Sequence, residues 1–517
     1  MISKHTIRPG CDAREGLPGC RLASVLLLLV PCVVHAQDAA GAKRGWTVEP
    51  SLSVRETITD NANLQPLKSS DSITAINAAV RVVGTTASLR GSLDYSLTEY
   101  LYARHSGDNG PLSVLSAEAT AEVIDGLGFV DLRGNYSQQA VSAFGSQSTD
   151  PALGANNRTD VADLYVSPYL RGRLGSTVHY ELRASYDATR AKGTSASDVN
   201  NGVASLHLDG RAAAASLGWT ADASHSVSRF LAGRRTFDDR LRAGMTYVVN
   251  PELQFGANAG RERTDLPSVD ANSDATWGAQ AEWTPTERTK LAATAEKRFF
   301  GTAHSLHFTH RTPSTVWPLS DSRDISTSNT QGKGGLGSAY DLFFLQFASV
   351  QPDPVLRDAL VRSYLQANGI PVNAVVIGGF LSAAATLVHT QSLSFALVGA
   401  RNTVTVMFSG SNSSRADKVA AVVDDLSNNN DVRQRGITLD WSYRLTPTSS
   451  LSATGGYQRS DSDSSTLQTT LKTLIATWTG KLGPRSSVSA GARHTSFDSP
   501  ATPYRENALF ASFRLAF

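Results

Sequence analysis

Strict two-residue alternation recurs from Trp46 to Phe517, and it constrains the fold more than any other feature of the chain. In ITLDWSYRL, Ile437, Leu439, Trp441, Tyr443 and Leu445 alternate with Thr438, Asp440, Ser442 and Arg444. ASLRGSLDYSLT (87–98), VHYELRASYD (178–187) and ATWGAQAEW (275–283) repeat the pattern. So does the closing LFASFRLAF, where Leu509, Ala511, Phe513, Leu515 and Phe517 oppose Phe510, Ser512, Arg514 and Ala516. Strand side chains alternate sides, so each stretch is a strand with one apolar and one wet face.

The connections alternate as well. Short ones are Pro, Gly or Asn turns, as in VVNPELQ, WTPTERTKL, YRLTPTSSL, GKLGPRSSV, RGRLGSTV and GARNTV. Long ones are polar, as in SAFGSQSTDPALGANNR, TRAKGTSASDVNNG, RSDSDSSTLQ and SGSNSSRADKVAAVVDDLSNNNDVR. Short turns at one end and long loops at the other mark an outer-membrane barrel, with turns in the periplasm and loops outside. The expected fold is all-β: a large transmembrane antiparallel up-and-down β-barrel of roughly 22 strands, within a range of about 18 to 24. A β-solenoid would show one fixed repeat length. A soluble sandwich would fill its inner faces with Val, Ile and Phe, whereas here the apolar faces are rich in alanine and bordered by Trp and Tyr.

Residues 1–36 read as a signal peptide. A basic start (Lys4, Arg8, Arg14, Arg21) precedes the apolar run LASVLLLLVPCVV, and Val34-His35-Ala36 is a small-residue cleavage site, placing the cut near Ala36. Pro31 argues against lipidation at Cys32. All three cysteines (Cys11, Cys20, Cys32) fall in this segment, which excludes disulfides and thiolate chemistry from the remainder. With Asp12 and Glu15 its only acids, the segment also carries the whole formal charge of +2. The neutral remainder argues against nucleic acid as a partner. Residues 37–517 contain no interdomain linker and read as one barrel.

Residues 327–390 break the alternation. PDPVLRDALVRSYLQANGIP carries helix punctuation in Asp353, Pro354, Asn368, Gly369 and Pro371, with an apolar stripe of Leu356, Leu360, Val361, Tyr364 and Leu365. The expectation is one short helix at 351–370 in a long excursion on the loop side. That excursion either enters the lumen as a constriction, covers the mouth, or stands as a surface loop.

Alternation also assigns a lumen-facing set of mixed sign: Arg90, Asp94, Asp131, Arg133, Glu181, Arg183, Glu282, Arg298, Asp440, Arg444 and Arg514. An ion-selective pore would carry rings of one sign; a mixed, hydroxyl-rich wall suits a hydrated, weakly charged chain. A wet lumen would also need such charges simply to pair across strands. No catalytic, cofactor or metal residues are assigned. His304, His307 and His310 of HSLHFTH do not converge on one strand, because His307 points away from the other two. The acidic DDLSNNND (424–431) lacks the glycine and ligand spacing of a calcium loop. No spacing singles out a hydrolase constellation.

Several stretches, taken in order, resemble the outer-membrane β-barrel family associated with PEP-CTERM/exosortase systems. They are WTVEPSLSVRETITDNANL, EKRFFGTAHSLHFTHRTPSTVW, PDPVLRDALVRSYLQANGIP with LSFALVGARNTVTV, and the terminal strand. The resemblance implies an outer-membrane location and a role in polymer or protein export, with no catalytic residues to carry over. The terminal strand, with Phe513 and Phe517, also resembles the signal read by barrel assembly machinery. The expected partners are therefore outer-membrane lipid, that machinery and periplasmic polysaccharide export components, with the barrel a monomer. The functional expectation is a porin-like channel for exopolysaccharide export. A structural or docking barrel for sorted surface proteins is the alternative, and an outer-membrane enzyme the third reading. An active importer would need a plug domain ahead of the first strand, which here closely follows the cleavage site.

Overall fold

The computed structural model describes residues 45–517 apart from 154–155, 194–197, 212–215, 329, 420–422 and 464–466; within 332–378 it describes Tyr340, Phe344, Phe347, Arg357, Asp358, Val361 and Arg362. Residues 1–36, read above as a signal peptide, lie outside the described residues with their cysteines. The alternating stretches form 22 antiparallel strands in one closed sheet, each paired to its sequence neighbour. Closure satisfies every edge, as a strand bundle in lipid requires.

The first strand, Gly45–Thr59, pairs along its whole length with the second, Asp71–Thr85. The last, Tyr504–Ala516, closes the ring by pairing Ala516 with Ser51 and Ala508 with Thr59. The ladder of this seam starts at Ser51, with Pro50 accepting from Phe517 N, and Gly45–Glu49 pairs only with the second strand. Both termini therefore leave from one end of the barrel, called here the terminal end, and the opposite end is the loop end.

Each Pro, Gly or Asn turn named above lies at the terminal end. At the loop end the connections are longer, including 60–70, 141–157, 327–385 and 416–430. Gly126 and Gly175 take positive φ (63° and 67°) in two terminal-end turns, where a side chain would be strained.

Directly paired residues share a face, so one face assignment propagates round the ring. The inner face carries Arg493 and Glu506, a buried pair, with Arg493 also meeting Asp150 of loop 141–157. The outer face carries Leu52, Val54, Leu97, Leu132, Leu182, Leu474, Leu509 and Phe513, all well exposed. Trp46, Trp219, Trp283, Trp317, Trp441 and Trp478, all but Trp277 of the seven tryptophans, band this face at the terminal end. This is the position of an interfacial aromatic girdle below an apolar belt.

Most of the apolar core sits inside the barrel at the loop end, with a small Val316–Ala396 cluster at the terminal end. Leu64, Ala152 and Leu153 come from loops and pack against inward Ile73, Leu471, Phe497 and Tyr504. A second cluster joins Ala143, Phe380, Leu426 and Val432. The polar loop SAFGSQSTDPALGANNR was expected outside; its Ala143, Ala152 and Leu153 are buried instead, because closed strands leave a lumen wide enough to receive it.

Candidate functional site: an occluded, two-sided lumen

The register places all eleven residues of the lumen-facing set on the inner face. Arg90 pairs with Thr85 and Thr120, and Asp94 with Arg81 and Ser116. Asp131 and Arg133 pair with Ser167 and Tyr165, while Glu181 and Arg183 oppose Arg171 and Tyr169. Glu282 faces Gln254, Arg298 faces Gly301, Asp440 faces Thr405 and Thr454, and Arg514 faces Ser53. Arg444, on the same face as Asp440, donates to the Ala400 carbonyl at the terminal end.

The wall is divided. From the second strand to Thr289–Arg298 it is charged and self-paired. Arg183 lies 2.9 Å from Asp131 and 2.8 Å from Glu181, with its guanidinium over the Tyr169 ring. Arg242 bridges Asp222 and Glu296 at 3.2 and 3.4 Å. Arg298 and Glu262 form a buried pair, with Arg240 3.3 Å from Glu262 and Asp324 bonded to Arg298.

From Asn402–Arg415 to Gln468–Lys481 the wall is instead hydroxyl-rich. Thr403, Thr405, Ser442, Ser450 and Thr469 are buried on the inner face. Asp440 is set among them: one carboxylate oxygen accepts from Thr454 at 2.6 Å, and the other has no hydrogen-bond partner among the described residues.

At the loop end the protein's own loops fold in against the inner face. Loop 141–157 leaves between Gly128–Ala140 and Arg158–Leu174 and crosses to the seam. There the Asp150 carboxylate lies 2.5 Å from Arg493 Nη1 and 3.5 Å from Arg55 Nη2. Arg493 also holds Glu506 at 2.9 Å, and Thr59 Oγ1 donates to Glu506 at 2.9 Å. Tyr102 and Tyr504 donate to the Ala152 and Gln147 carbonyls. Burial pushes the Asp150 carboxyl up, but the Arg493 and Arg55 charges and the Arg493 hydrogen bond outweigh it and hold it below the ordinary aspartate value.

Two further segments join this loop. Residues 380–385 are buried, with Leu381 N donating to Val141 O at 3.3 Å. The one-turn helix Asp425–Asn428 reaches loop 141–157, Asp425 accepting from Ser142 Oγ at 2.9 Å and Ala143 N at 2.7 Å. Its neighbour Asp424 accepts from Ala383 N at 3.0 Å and Arg415 at 2.6 Å. Asp424 and Asp425 of DDLSNNND thus tie loops together, while Asp431 pairs with Arg433 of its own strand.

The expected helix at 351–370 lies largely outside the described residues. At Arg357, Asp358, Val361 and Arg362 the backbone is helical. Asp358 is 2.5 Å from inward Arg81 and accepts from Tyr340 at 2.6 Å, so this part of the excursion lies against the lumen wall.

Arg493, Glu506, Asp150, Arg55 and Glu262 escaped the sequence reading. Alternation puts Arg493 and Glu506 inward, but nothing in one sequence tells that a loop acid more than 300 residues away meets them. The histidines behave as expected within HSLHFTH: His307 faces inward, pairing with Ala292, and His304 and His310 face out. His304, however, meets Asp321 and His389 from neighbouring strands.

A closed antiparallel barrel, apolar and tryptophan-banded outside and polar inside, is a membrane-spanning β-barrel of the outer-membrane type. No protein-family model matches the chain, and no curated protein sequence matches it. Among solved structures it is similar to the siderophore receptor PirA from Acinetobacter baumannii, with 10% identity, 92% of this chain and 81% of that one covered, and a TM-score of 0.46. It is also similar to the FrpB iron transporter (F5-1 variant) from Neisseria meningitidis, with 11% identity, 92% and 83% coverage and a TM-score of 0.44. A third is OccK2 (OpdF) from Pseudomonas aeruginosa in complex with glucuronate, with 10% identity, 91% and 98% coverage and a TM-score of 0.33.

Proposed function

We propose that this barrel is a self-gated outer-membrane conduit for export of a hydrated, weakly charged polymer, exopolysaccharide foremost. In this reading the chain belongs with the PEP-CTERM/exosortase-associated barrels that its sequence resembles. It reaches the outer membrane after signal removal near Ala36, is inserted there by the barrel assembly machinery, and works as a monomer fed by periplasmic export components at its terminal end. It transports rather than catalyses.

The observation that carries the reading is the division of the inner wall. Charges of mixed sign that bind one another, such as Arg183 between Asp131 and Glu181, form no ring of a single sign that would select an ion. The hydroxyl arc around Asp440 offers the neutral donors and acceptors that sugar hydroxyls exchange as a chain slides past. Loops 141–157, 380–385 and 416–430 supply the gate that a wide pore needs to keep the outer membrane tight.

Conductance in planar bilayers tests this with the full-length barrel and a variant that lacks residues 345–382 and carries Arg493→Ala, so that the excursion and the latch of loop 141–157 are both released. The expected result is a closed wild type, large conductance in the variant, and loss of surface polymer when the gene is deleted. A barrel closed in both forms, with surface polymer intact in the deletion strain, would favour the docking reading instead.

A further inference from the structure

The outer face of three neighbouring strands, Gly301–Arg311, Thr315–Ser326 and Thr386–Val398, carries a polar cluster that export does not use. Register puts Leu306 and Gln391 beside Asp321, and His304 and His389 on either side of Arg323. Toward the terminal end the same face is apolar, with Phe308, Trp317, Leu319, Leu393 and Phe395. The cluster lies toward the loop end of that face, with the Ile325–Leu387 pair beyond it.

Both imidazoles turn to one carboxylate oxygen. His304 Nε2 lies 2.8 Å and His389 Nε2 2.9 Å from Asp321 Oδ1, and the three ligand atoms all fall within 4.8 Å of one another. Gln391 Nε2 donates to the other oxygen, Oδ2, at 3.0 Å, which fixes the carboxylate plane. Arg323 does not occupy the space between the rings, since its guanidinium donates to the Thr302 carbonyl at 2.6 Å and lies over Phe300. Each ligand side chain is about one-third exposed, at 32%, 28% and 33% for His304, Asp321 and His389, so the ligand atoms are open to an entering ion.

We propose that His304, Asp321 and His389 form a binding site for a divalent transition ion of the zinc or copper class. Two imidazoles and one carboxylate are the donor set such ions take, leaving a fourth position for water, whereas calcium and magnesium demand oxygen ligands. A tetrahedral zinc ion needs ligand atoms somewhat farther apart than a hydrogen bond. Widening the present triangle by small side-chain rotations, with loss of the proton each imidazole shares with Asp321, makes the site. Gln391 acts as the group that orients the carboxylate.

The position gives the ion a consequence. Ser326 and Thr386 are the roots of the long excursion, paired with each other. Asp321 and His389 tie the same two strands a few residues below. A bound ion adds a side-chain tie across the outer face of the three strands just below those roots.

The test is equilibrium binding of Zn2+ and Cu2+ to the tag-free, detergent-folded full-length barrel. Expected are one ion per chain, and affinity reduced at least about 10-fold in His304→Ala, His389→Ala and Asp321→Asn. His307→Ala, on the inner face, should bind as the wild type does. Electron paramagnetic resonance of the Cu2+-loaded wild type needs no variant and should show two coordinating nitrogens. Absence of stoichiometric binding, a spectrum without nitrogen coupling, or unchanged affinity in a folded His304→Ala/His389→Ala double variant would overturn the site.

Discussion

The Arg493 guanidinium, on the penultimate strand, lies 2.5 Å from the carboxylate of Asp150, in a loop 343 residues earlier in the chain, with both side chains at most 5% exposed. Loop 141–157 is rooted between the fifth and sixth strands, and Arg493 is reached from there by way of the seam, so this one pair fastens the loop across that sector of the inner wall. Arg493 is shared with Glu506, so the latch is built on the wall before the loop arrives.

Replacing Arg493 by alanine leaves the buried Glu506 without its cation and Asp150 with Arg55 alone at 3.5 Å, a loss of about 3–5 kcal/mol when a buried pair is broken. The loop can escape to solvent while the strand cannot, so the expected effect is release of 141–157 rather than loss of the barrel. Planar-bilayer recordings should show frequent openings in Arg493→Ala. Asp150→Asn, which leaves Arg493 with Glu506, should open less often.

Acidification should act on the same latch. Burial raises the Asp150 carboxyl, but Arg493 and Arg55 bring its folded value below the ordinary one. A depressed carboxylate contributes stability that is fully present above the unfolded value and is lost as pH falls through the folded value. Asp425 works in the opposite sense, since burial raises it despite its bonds to Ala143 and Ser142, and it favours the tied state as pH falls. Openings should therefore be rare at neutral pH and appear reversibly below the ordinary aspartate range, near pH 4 or lower. Asp150→Asn should flatten the dependence; an unchanged pH profile in that variant would remove Asp150 as the titrating latch.

Much of this was legible in the chain because a barrel strand repeats with period two and has one wet face. Phe513 and Arg514 could be assigned to opposite faces from LFASFRLAF alone, and Asp440 and Trp441 from ITLDWSYRL. The gate was not legible, because Asp150 sits in a stretch whose Ser, Asp, Gly and Asn content reads as a solvated loop. Its burial depends on Leu153 finding Phe497 and Tyr504 beyond the seam. The His304 cluster was hidden for a similar reason. Alternation orders residues along one strand, while ligand convergence depends on register between Gly301–Arg311, Thr315–Ser326 and Thr386–Val398, the last two separated by the whole excursion.

The inner wall has places with no room to give. A Cβ added at Gly260 would lie 2.2 Å from the Leu241 carbonyl oxygen and 3.0 Å from Arg242 Cα, both backbone atoms of the paired strand. Gly260→Ala should force the strands apart at a cost of roughly 1–3 kcal/mol. Its folded form should melt at lower temperature by heat-modified mobility on gels. Gly134→Ala, where an added Cβ meets nothing within 4 Å, is the matched control and should melt as the wild type does.

Phe517 separates assembly from architecture. Its amide donates to the Pro50 carbonyl at 3.0 Å, beyond the last ladder pair, and its ring is 61% exposed on the outer side. Deleting it removes one peripheral hydrogen bond, worth about 0.5–1.5 kcal/mol, from a seam whose ladder runs intact from Ser51 to Thr59. On stability alone the deletion should be nearly silent. If the terminal aromatic is what the assembly machinery reads, the amount of folded barrel in the outer membrane should fall steeply, and Phe517→Tyr should restore it. The conductance of each molecule that does insert should match the wild type, since nothing in the lumen has changed. Normal membrane levels in the deletion would show that Phe517 is only the end of a strand.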